Sequence, residues 1–393
     1  LLHKKPLDNV RSQDNAPDDG DDVAWKGSEM REDLSVLTVN KMYPPEIGGV
    51  EVVAREIAEL VYSLDYKSRV ITLSPDGKTR EETTNGVEIL RCGTFFRKDP
   101  IRLSLSFKSA YKTLSEKSAI EIFHVPSGLP EFICKKKRND IERIVLYHAD
   151  TVSRGITGNL YVKHALAPML ESADVIVATS PKMFETSEVL KKFRAKGRVI
   201  PLFVDTDHFL PSGNVFDYSP HFNRQGKKIV LYVGRFGRYK GLDYLLKAMN
   251  LIEDRYHLVL IGDGPEKDRL TSLIDELNLK NRVTMMPHVA YSKLPEIYRS
   301  ADVFVLPSTD RGEAFGLVAL EAMACGTPVI TTELGTGTTF HNVHGITGCH
   351  VAPKDEKALA KAIKQCIEEN LKEKNTYLIR QRAEEFSIDK FRK

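Results

Sequence analysis

Two carboxylates lie eight positions apart in a run that joins an apolar strand to a helix. Glu313 lies in the polar segment after the strand at residues 303–307, and Glu321 lies in the helix that Gly316 opens and Gly326 ends. The free amide groups and dipole of a helix N-terminus favour a bound anion such as phosphate. Glu321 is too far along the helix to repel that phosphate, and it can accept hydrogen bonds from ligand hydroxyl groups. The spacing predicts a ligand ordered as sugar, diphosphate and ribose, although solvated acids on an amphipathic helix explain a Glu pair alone equally well.

Two cationic side chains are candidates for holding such a diphosphate. Arg235 and Lys240 share the loop that follows the strand at residues 228–233, so both can converge on one ligand. An arginine offers planar, two-point contact to phosphate, whereas a lysine offers a mobile point charge. The alternative is two surface bases on a loop.

Two further groups of residues stand at strand ends in the first half of the chain. Gly48 and Gly49 occupy a strand-to-helix turn, which is either a plain turn or a place where a ligand approaches the backbone closely. His148 and Asp150 follow the strand at residues 141–147, and ligands of open parallel sheets bind at that edge. His148 can contact a sugar hydroxyl or shuttle a proton, and Asp150 can orient His148 or the acceptor. A lone histidine is more often structural.

Taken together, these runs resemble the retaining glycosyltransferases of family 4, which have the GT-B fold of two Rossmann-like α/β domains facing a cleft. Six ordered runs carry the resemblance: P-P-x-x-G-G-V-E at 44–51, H-A-D at 148–150, G-R-x-x-x-x-K-G at 234–241, G-D-G-P at 262–265, E-x7-E at 313–321 and E-L-G-T-G-T at 333–338. The last of these resembles a bacterial subgroup that builds surface polysaccharides. Ala149 replaces the usual serine, and Leu202 and Phe203 replace the usual asparagine and glycine of the run before the interdomain linker.

The resemblance implies transfer of a hexose from a nucleoside-diphosphate sugar with retention of anomeric configuration. Glu313, His148 and Asp150 are the implied catalytic residues. The implied donor-binding residues are Gly48, Gly49, Arg235, Lys240, Gly262, Val289, Ala314, Phe315, Gly316, Leu317, Val318 and Glu321. No cofactor and no metal are expected, because no ligand cluster is evident and two cations already face the diphosphate. The subgroup favours mannose from a guanosine donor, followed by a uridine-linked hexose, with a glycan or lipid-linked acceptor in polysaccharide or lipopolysaccharide synthesis.

The length of 393 residues and the restarted α/β alternation predict two domains. Residues 1–33 are expected to be a disordered leader or linker, 34–210 the acceptor domain, 211–226 a linker and 227–370 the donor domain. Residues 371–393 are expected to form a helical segment that packs back toward the first domain. Since the family continues into a longer terminal helix, this end is expected to be cut short.

Charge and cysteine usage suggest where the chain works. Residues 91–138 hold eleven bases and four acids, which predicts either a solvated face or a surface for anionic lipid or phosphate-bearing acceptors. The five cysteines form no C-x-x-C pair, so a reducing cytosol is expected, with a peripheral position at the inner membrane face as a further hypothesis. No nucleic-acid partner is expected.

Two other classes of function stay open. One is a phosphorylase or epimerase of similar fold, although no cofactor lysine environment is evident and such epimerases lack the E-x7-E run. The other is a non-catalytic nucleotide-sugar-binding module of a larger assembly. Turnover of donor separates that module from an enzyme.

Overall fold

The computed structural model of the chain describes residues 34–46, 48–98, 101–151 and 155–393. The predicted leader at residues 1–33 lies outside the described residues. Two sheets of mainly parallel strands organise the described chain, one in each half. Helices connect the successive parallel strands, because a parallel connection must cross from one end of the sheet to the other.

The first half builds an eight-stranded sheet in the order β10-β9-β8-β7-β1-β2-β4-β3, in which only β3 is antiparallel to its neighbour. Its strands, with the separate hairpin β5–β6, are β1 (Ser35–Val39), β2 (Lys67–Leu73), β3 (Arg80–Thr84), β4 (Val87–Cys92), β5 (Phe96–Lys98), β6 (Ile101–Leu103), β7 (Ile120–Val125), β8 (Glu142–Tyr147), β9 (Val175–Ala178) and β10 (Gly197–Val199). Its helices are α1 (Gly49–Ser63), α2 (Phe107–Ser115), α3 (Leu129–Cys134), α4 (Gly155–Tyr161), α5 (Ala167–Ser172) and α6 (Pro181–Thr186).

The second half builds a six-stranded parallel sheet in the order β13-β12-β11-β14-β15-β16. Its strands are β11 (Lys228–Val233), β12 (Tyr256–Ile261), β13 (Val283–Met286), β14 (Val303–Leu306), β15 (Val329–Thr332) and β16 (Gly348–Val351). Its helices are α7 (Leu242–Asn250), α8 (Lys267–Glu276), α9 (Leu294–Ser300), α10 (Leu317–Ala324), α11 (Glu356–Glu368), α12 (Leu371–Glu384) and α13 (Ile388–Phe391). This is the doubly wound order of a Rossmann-like domain.

The central strands are short, continuous apolar runs, because helices cover both faces of each sheet. Every residue of β12 and β14 is buried, as expected for strands with no solvent-facing side. The two sheets have separate hydrophobic cores, one around Leu37, Phe123 and Val145 and the other around Leu231, Leu260 and Phe304. The predicted α/β fold with two Rossmann-like domains is confirmed.

Each sheet has one point at which consecutive connections leave in opposite directions. In the first sheet this switch lies between β1 and β7, and in the second it lies between β11 and β14. Ligands of such sheets bind in the crevice outside the carboxyl ends of the strands at the switch. The loops after β11 and β14 carry Lys240 and Glu313, so the topology brings these two candidates together.

One predicted helix is shorter than the sequence pattern indicates. The helical spacing of Leu103, Phe107, Ala110, Tyr111 and Leu114 predicts one helix over residues 101–118, but Ile101–Leu103 pairs as β6 with β5, and the helix covers only Phe107–Ser115. Arg102 explains the difference, because its buried guanidinium binds the carboxylate of Glu46 with contacts of 2.6 and 2.9 Å. A strand places that side chain inward, opposite the exposed Ile101.

The C-terminal residues contact both halves. Helix α12 packs against α10 and α11 of the second half. Beyond it, Ser387 bridges to Val204, and the ring of Phe391 lies 4.5 Å from that of Phe203. The side chain of Arg392 lies 3.2 Å from Glu56 on α1 of the first half.

Candidate functional site

The centre of the candidate site is an ion pair between the two switch-point loops of the second half. Lys240 Nζ lies 2.5 Å from Glu313 Oε2, and Ser308 Oγ donates to the same oxygen at 3.0 Å. Burial alone would lower the pKa of Lys240, but the facing Glu313 carboxylate outweighs it, so the pKa is raised and the side chain stays charged. Two sequence candidates therefore meet directly.

Arg235 lies on the same loop as Lys240 but in a different environment. Its side chain is exposed and has no carboxylate or hydrogen-bond partner among the described residues. Lys240 is already compensated by Glu313, so the uncompensated positive charge of this loop, among the described residues, comes from Arg235 and the equally exposed Arg238. The left-handed Gly241 ends the loop, where a Cβ atom would lie 2.1 Å from the carbonyl oxygen of Pro307. This close approach holds the two loops together.

The segment Ala314–Val318 forms the mouth of α10. Its carbonyl groups are occupied by the turn at residues 336–341: Gly337 N donates to Ala314 O at 2.6 Å and His341 Nε2 contacts Phe315 O at 2.8 Å. Gly316 takes the left-handed conformation with φ 81° as the residue before the helix. The first amide groups of α10 have no partner within the helix and remain available to an anion.

The glycine turn of the first half lies opposite that helix mouth. A Cβ atom at Gly49 would lie 3.3 Å from Leu317 Cδ1, so the N-terminus of α1 faces the N-terminus of α10. The side chain of Glu51 folds back over Gly48, where it would lie 2.0 Å from an added Cβ atom. Any side chain at Gly48 or Gly49 would enter the gap between the two helix ends.

Glu321 lies within α10, more than one turn beyond the helix mouth. Its Oε2 accepts a hydrogen bond from the hydroxyl of Tyr298 at 2.7 Å. Burial raises the pKa of Glu321 to about 7, although the bond from Tyr298 acts in the opposite direction. Two further residues were expected to bind the donor substrate. Val289 is half-buried in the segment after β13. Gly262 directly follows β12, and a Cβ atom there would lie 2.0 Å from the carbonyl oxygen of Gly234.

His148 follows β8 and pairs with a second histidine. Its Nε2 lies 2.9 Å from Nδ1 of His124, the fifth residue of the neighbouring strand β7. Both side chains are buried, and burial lowers the pKa of His148 to about 4. The imidazole is therefore neutral near pH 7.

Asp150 does not contact His148, which corrects one of the two roles expected for it. Its Oδ1 accepts hydrogen bonds from Tyr147 at 2.7 Å and Ser187 at 2.6 Å. Its Oδ2 lies 2.5 Å from Nε of Arg311, a residue of the second half. The reason is geometric: three donors hold the Asp150 carboxylate, and the ring of His148 is held by His124.

A cleft of about 780 Å³ opens between the two halves beside these residues. Its walls come from both domains: Pro126, Ala149, Asp150, Thr151, Arg238, Tyr239, Asp243, Tyr244, Thr309, Asp310, Gly312 and Lys354. Two tyrosines, two exposed bases and three acids, of which only Asp310 has no cation partner among the described residues, suit a polar ligand with many hydroxyl groups.

In residues 34–46, 48–98, 101–151 and 155–393, no group of three or more His, Cys, Asp or Glu side chains is arranged to hold a metal ion. Metal independence remains a prediction. In the same described ranges, no helix is both long and apolar enough to cross a bilayer.

Sequence reasoning missed His124, Arg311 and Tyr298. His124 and His148 end neighbouring parallel strands, so strand order would have placed them at one sheet edge. Arg311 lies two residues before the E-x7-E run, but its partner is 161 positions away. Tyr298 belongs to another helix, and the local sequence carries no signal for its bond to Glu321.

Comparison with known proteins agrees with this geometry. Residues 47–208 match the model of Glycosyltransferase Family 4, and residues 217–385 match that of Glycosyl transferases group 1. The chain is 30% identical to the D-rhamnosyltransferase WbpZ of Pseudomonas aeruginosa, over 84% of this chain and 86% of that protein. It is also 30% identical to the O-antigen chain mannosyltransferase C of Escherichia coli, over 84% and 88%. The sucrose-phosphate synthase structure from Thermosynechococcus elongatus has the same fold, with a TM-score of 0.75, 24% identity and coverage of 91% and 96%. The chain belongs to the family-4 glycosyltransferases and has their GT-B fold.

Proposed function

We propose that this glycosyltransferase moves a hexose from a nucleoside-diphosphate sugar to a glycan or lipid-linked acceptor and retains the anomeric configuration. The observation that carries the proposal is the Lys240–Glu313 pair at 2.5 Å, placed at the switch point beside the mouth of α10. A diphosphate at this mouth would meet Arg235, Lys240 and the free amide groups of Phe315–Val318.

The donor lies along α10 in this proposal. Its ribose hydroxyls bind Glu321, its base lies near Val289, and its sugar lies beside Glu313 and His148. Gly48 and Gly49 leave the diphosphate room between the ends of α1 and α10. Positive charge that develops on the sugar is then stabilised by Glu313, while the leaving diphosphate is stabilised by the cations.

Retention follows from attack on the face that the diphosphate leaves. The acceptor oxygen forms its bond to the anomeric carbon as the bond from that carbon to the diphosphate oxygen breaks. The acceptor proton passes to an oxygen of the leaving diphosphate. The cleft of about 780 Å³ lies next to this point and accommodates the acceptor.

For the donor, mannose from GDP-mannose is favoured over a uridine-linked hexose. The similarity to an O-antigen mannosyltransferase and to a D-rhamnosyltransferase supports this choice, and supports a role in surface polysaccharide or lipopolysaccharide synthesis. Binding of the donor without turnover is the second candidate, which would make the chain a nucleotide-sugar-binding module. The family assignment favours turnover.

A surface of the first half supports a membrane-bound acceptor at the inner membrane face. The exposed apolar side chains of Phe95, Phe96, Ile101 and Leu105 lie on and beside the β5–β6 hairpin, which packs against α3. Four exposed lysines belong to the same stretch: Lys98 ends β5, Lys108 lies in the first turn of α2, and Lys135 and Lys136 directly follow α3. Four other bases of the stretch are less available, because Arg91, Arg102, Lys137 and Arg138 are paired with acids.

The test begins with thermal shifts in GDP, UDP, GDP-mannose and UDP-glucose, since a bound ligand raises apparent stability by mass action. We expect guanosine ligands to give the larger shift. Transfer from the stabilising donor is then followed by NMR of the product anomeric signal with excess chelator present. An inverted product, or activity that requires a divalent ion, would contradict the mechanism, and donor binding without any transfer would favour the binding module.

A further inference from the structure

Two buried histidines form a hydrogen bond at the edge of the first sheet where the parallel strands end. His124 on β7 and His148 after β8 place Nδ1 and Nε2 at 2.9 Å, and their rings stack with centroids 5.1 Å apart and planes inclined by 10°. His124 is only 1% exposed and His148 only 5%. From the sequence, a functional role was expected for His148 but not for His124.

Neither ring carries a charge near pH 7. Burial lowers the pKa of His148 to about 4, and burial together with the neighbouring His148 lowers the pKa of His124 well below its ordinary value. A neutral imidazole has one N–H donor and one acceptor nitrogen. The contact therefore has two possible directions, and each direction fixes the tautomer of both rings.

The second nitrogen of His124 distinguishes the two directions. His124 Nε2 is buried and has no hydrogen-bond partner among the described residues. If His148 Nε2–H donated to His124, then His124 Nε2 would carry a buried hydrogen with no acceptor. If His124 Nδ1–H donates instead, Nε2 keeps only an unused lone pair. A buried N–H group without an acceptor is rarer than an unused lone pair and costs more free energy. The hydrogen bond in which His124 Nδ1–H donates to His148 Nε2 is therefore favoured.

We propose that His124 is a positioning residue that sets the tautomer of His148, so that His148 presents Nδ1–H as a hydrogen-bond donor. No group in the described part of the chain occupies that Nδ1. Pro126, Ala149 and Thr151, the close neighbours of the two histidines in sequence, line the cleft between the domains. A ligand hydroxyl oxygen in that cleft is the natural acceptor.

The consequence for catalysis rests on the proposed transfer reaction, whereas the tautomer does not. With Nδ1 protonated and Nε2 engaged, His148 has no free lone pair and cannot take the acceptor proton. It holds a sugar or acceptor hydroxyl by donating to it. The proton of the attacking hydroxyl then leaves with the diphosphate oxygen, as the same-face mechanism requires.

The tautomer is measured directly in the unsubstituted protein. Two-bond proton–nitrogen correlation spectra of protein with ¹⁵N-histidine distinguish Nδ1–H from Nε2–H, and the His148→Asn variant assigns the signal by its disappearance. We expect the Nδ1–H pattern for His148 and for His124. An Nε2–H pattern for His148 would overturn the proposal, whatever the enzymatic activity.

Two substitutions at His124 test the functional consequence. The amide of His124→Asn can donate from the position of Nδ1, whereas the carboxylate of His124→Asp can only accept and reverses the contact. We expect kcat of His124→Asn to stay within about threefold and kcat of His124→Asp to fall by about tenfold or more, with the His148 spectrum changed to Nε2–H. The donor KM should change little in both.

His257→Asn is the matched control, because His257 is also a buried histidine with a lowered pKa. It lies on β12 in the second half, where its ring stacks on Phe222. The substitution should leave kcat unchanged. Undiminished kcat in a His124→Asp protein that shows the Nε2–H spectrum would overturn the catalytic role. If the unsubstituted protein transfers no sugar at all, the proposed function fails, while the NMR result still decides the tautomer.

Discussion

Arg311 and Asp150 join the two domains across the cleft. Arg311 Nε lies 2.5 Å from Asp150 Oδ2, and its Nη1 also donates to Thr186 Oγ1 at 2.8 Å and to the carbonyl oxygen of Gly335 at 2.9 Å. Arg311 stands two residues before Glu313, so the contact ties the loop that carries Glu313 to the opposite domain. This geometry makes Asp150 a partner of the opposite domain, and the role with the acceptor that was expected for it stays a prediction.

The first prediction concerns this contact. Arg311→Gln and Asp150→Asn should each lower kcat/KM by about ten- to a hundredfold, because small displacements of a catalytic loop carry costs of that order. If the two residues act only through each other, the double variant should lose no more than either single variant. Steady-state kinetics of the four proteins measure this coupling. Arg198→Gln serves as the control, because Arg198 is exposed and its side chain donates to the carbonyl oxygen of the adjacent Gly197.

Additive losses would contradict that prediction. They would show that Asp150 has a role of its own, most directly with the acceptor. X-ray scattering in solution gives a second readout, since loss of the contact should increase the radius of gyration of the unliganded protein.

The second prediction separates the two cations of the loop after β11. Arg235→Ala and Lys240→Ala should each lower kcat/KM by roughly a hundredfold or more, as for lost electrostatic stabilisers. Only Lys240→Ala should also lower Tm, because it leaves the Glu313 carboxylate without its cation, at a cost of about 3–5 kcal/mol for a buried pair. Arg235 is exposed, so its removal should not change Tm. Wild-type kinetics in both variants would exclude the diphosphate site.

The third prediction concerns the surface around the β5–β6 hairpin. The protein should bind anionic vesicles more tightly than neutral ones, and binding should weaken with salt, because surface charges are screened over about 8 Å at physiological ionic strength. Phe96→Ser with Ile101→Ser should reduce vesicle binding in a flotation assay. Tyr377→Ser, at another exposed aromatic residue, should not. Equal binding to both vesicle types would leave a solvated basic face as the explanation.

The sequence was most informative where chemistry and local structure coincide. Apolar runs predicted the central strands, because buried parallel strands show continuous hydrophobicity. The run around Glu313 and Glu321 predicted the helix that begins after Gly316, since a strand, a loop and a helix N-terminus follow one another along the chain. Long-range pairs were not predictable in this way. The partners of Arg311, Glu321 and Arg102 lie 161, 23 and 56 positions away and depend on how whole elements pack.

The departures from the family pattern at residues 202 and 203 have a structural reason. Leu202 and Phe203 are buried, and Phe203 packs against Phe391 near the end of the chain. The usual asparagine and glycine would not fill this space. The sequence alone marked the positions as atypical, and only the packing of the C-terminal residues explains them.

The fourth prediction concerns pH. Burial raises the pKa of Glu321 to about 7, so the carboxyl group is partly protonated near neutral pH in the free protein. Its ionised form is the better acceptor for ribose hydroxyls. Affinity for the nucleoside diphosphate should therefore rise by about fivefold between pH 6 and pH 8, relative to the Glu321→Gln variant. Calorimetric titration of both proteins across this range measures the affinities, and the contribution of the ligand's own ionisation cancels in the comparison. If the affinities of the two proteins changed with pH in parallel, the assignment would be contradicted.

The same raised pKa has a consequence for folding stability. An acid whose pKa is higher in the folded state than in the unfolded chain adds stability below its unfolded pKa, near 4.5, and loses it as pH rises through about 7. The buried Glu131, whose pKa burial also raises to about 7, acts in the same direction. Without ligand, Tm should therefore fall between pH 5 and pH 8 less steeply in Glu321→Gln than in the unsubstituted protein.

The last prediction contrasts the two glutamates of the E-x7-E run. Glu313 contacts Lys240 and Ser308, whereas Glu321 contacts Tyr298. In the proposed donor orientation, Glu313 lies beside the reacting sugar and Glu321 beside the ribose. Glu313→Gln keeps the size but removes charge near a centre that becomes cationic, so kcat should fall by about a hundredfold. Affinity for the bare nucleoside diphosphate should not fall, because Lys240 loses its counter-charge and remains free to bind phosphate.

Glu321→Gln should show the opposite pattern. It keeps one acceptor for the ribose hydroxyls but weakens the charge-assisted bonds, so affinity for the diphosphate should fall by about five- to tenfold at pH 8. Its kcat at saturating donor should change little, since the ribose bonds are the same in the ground state and the transition state. Calorimetry and initial rates on both variants measure the contrast. If Glu313→Gln weakens diphosphate binding as much as Glu321→Gln and leaves kcat intact, the donor does not lie along α10 in the proposed direction.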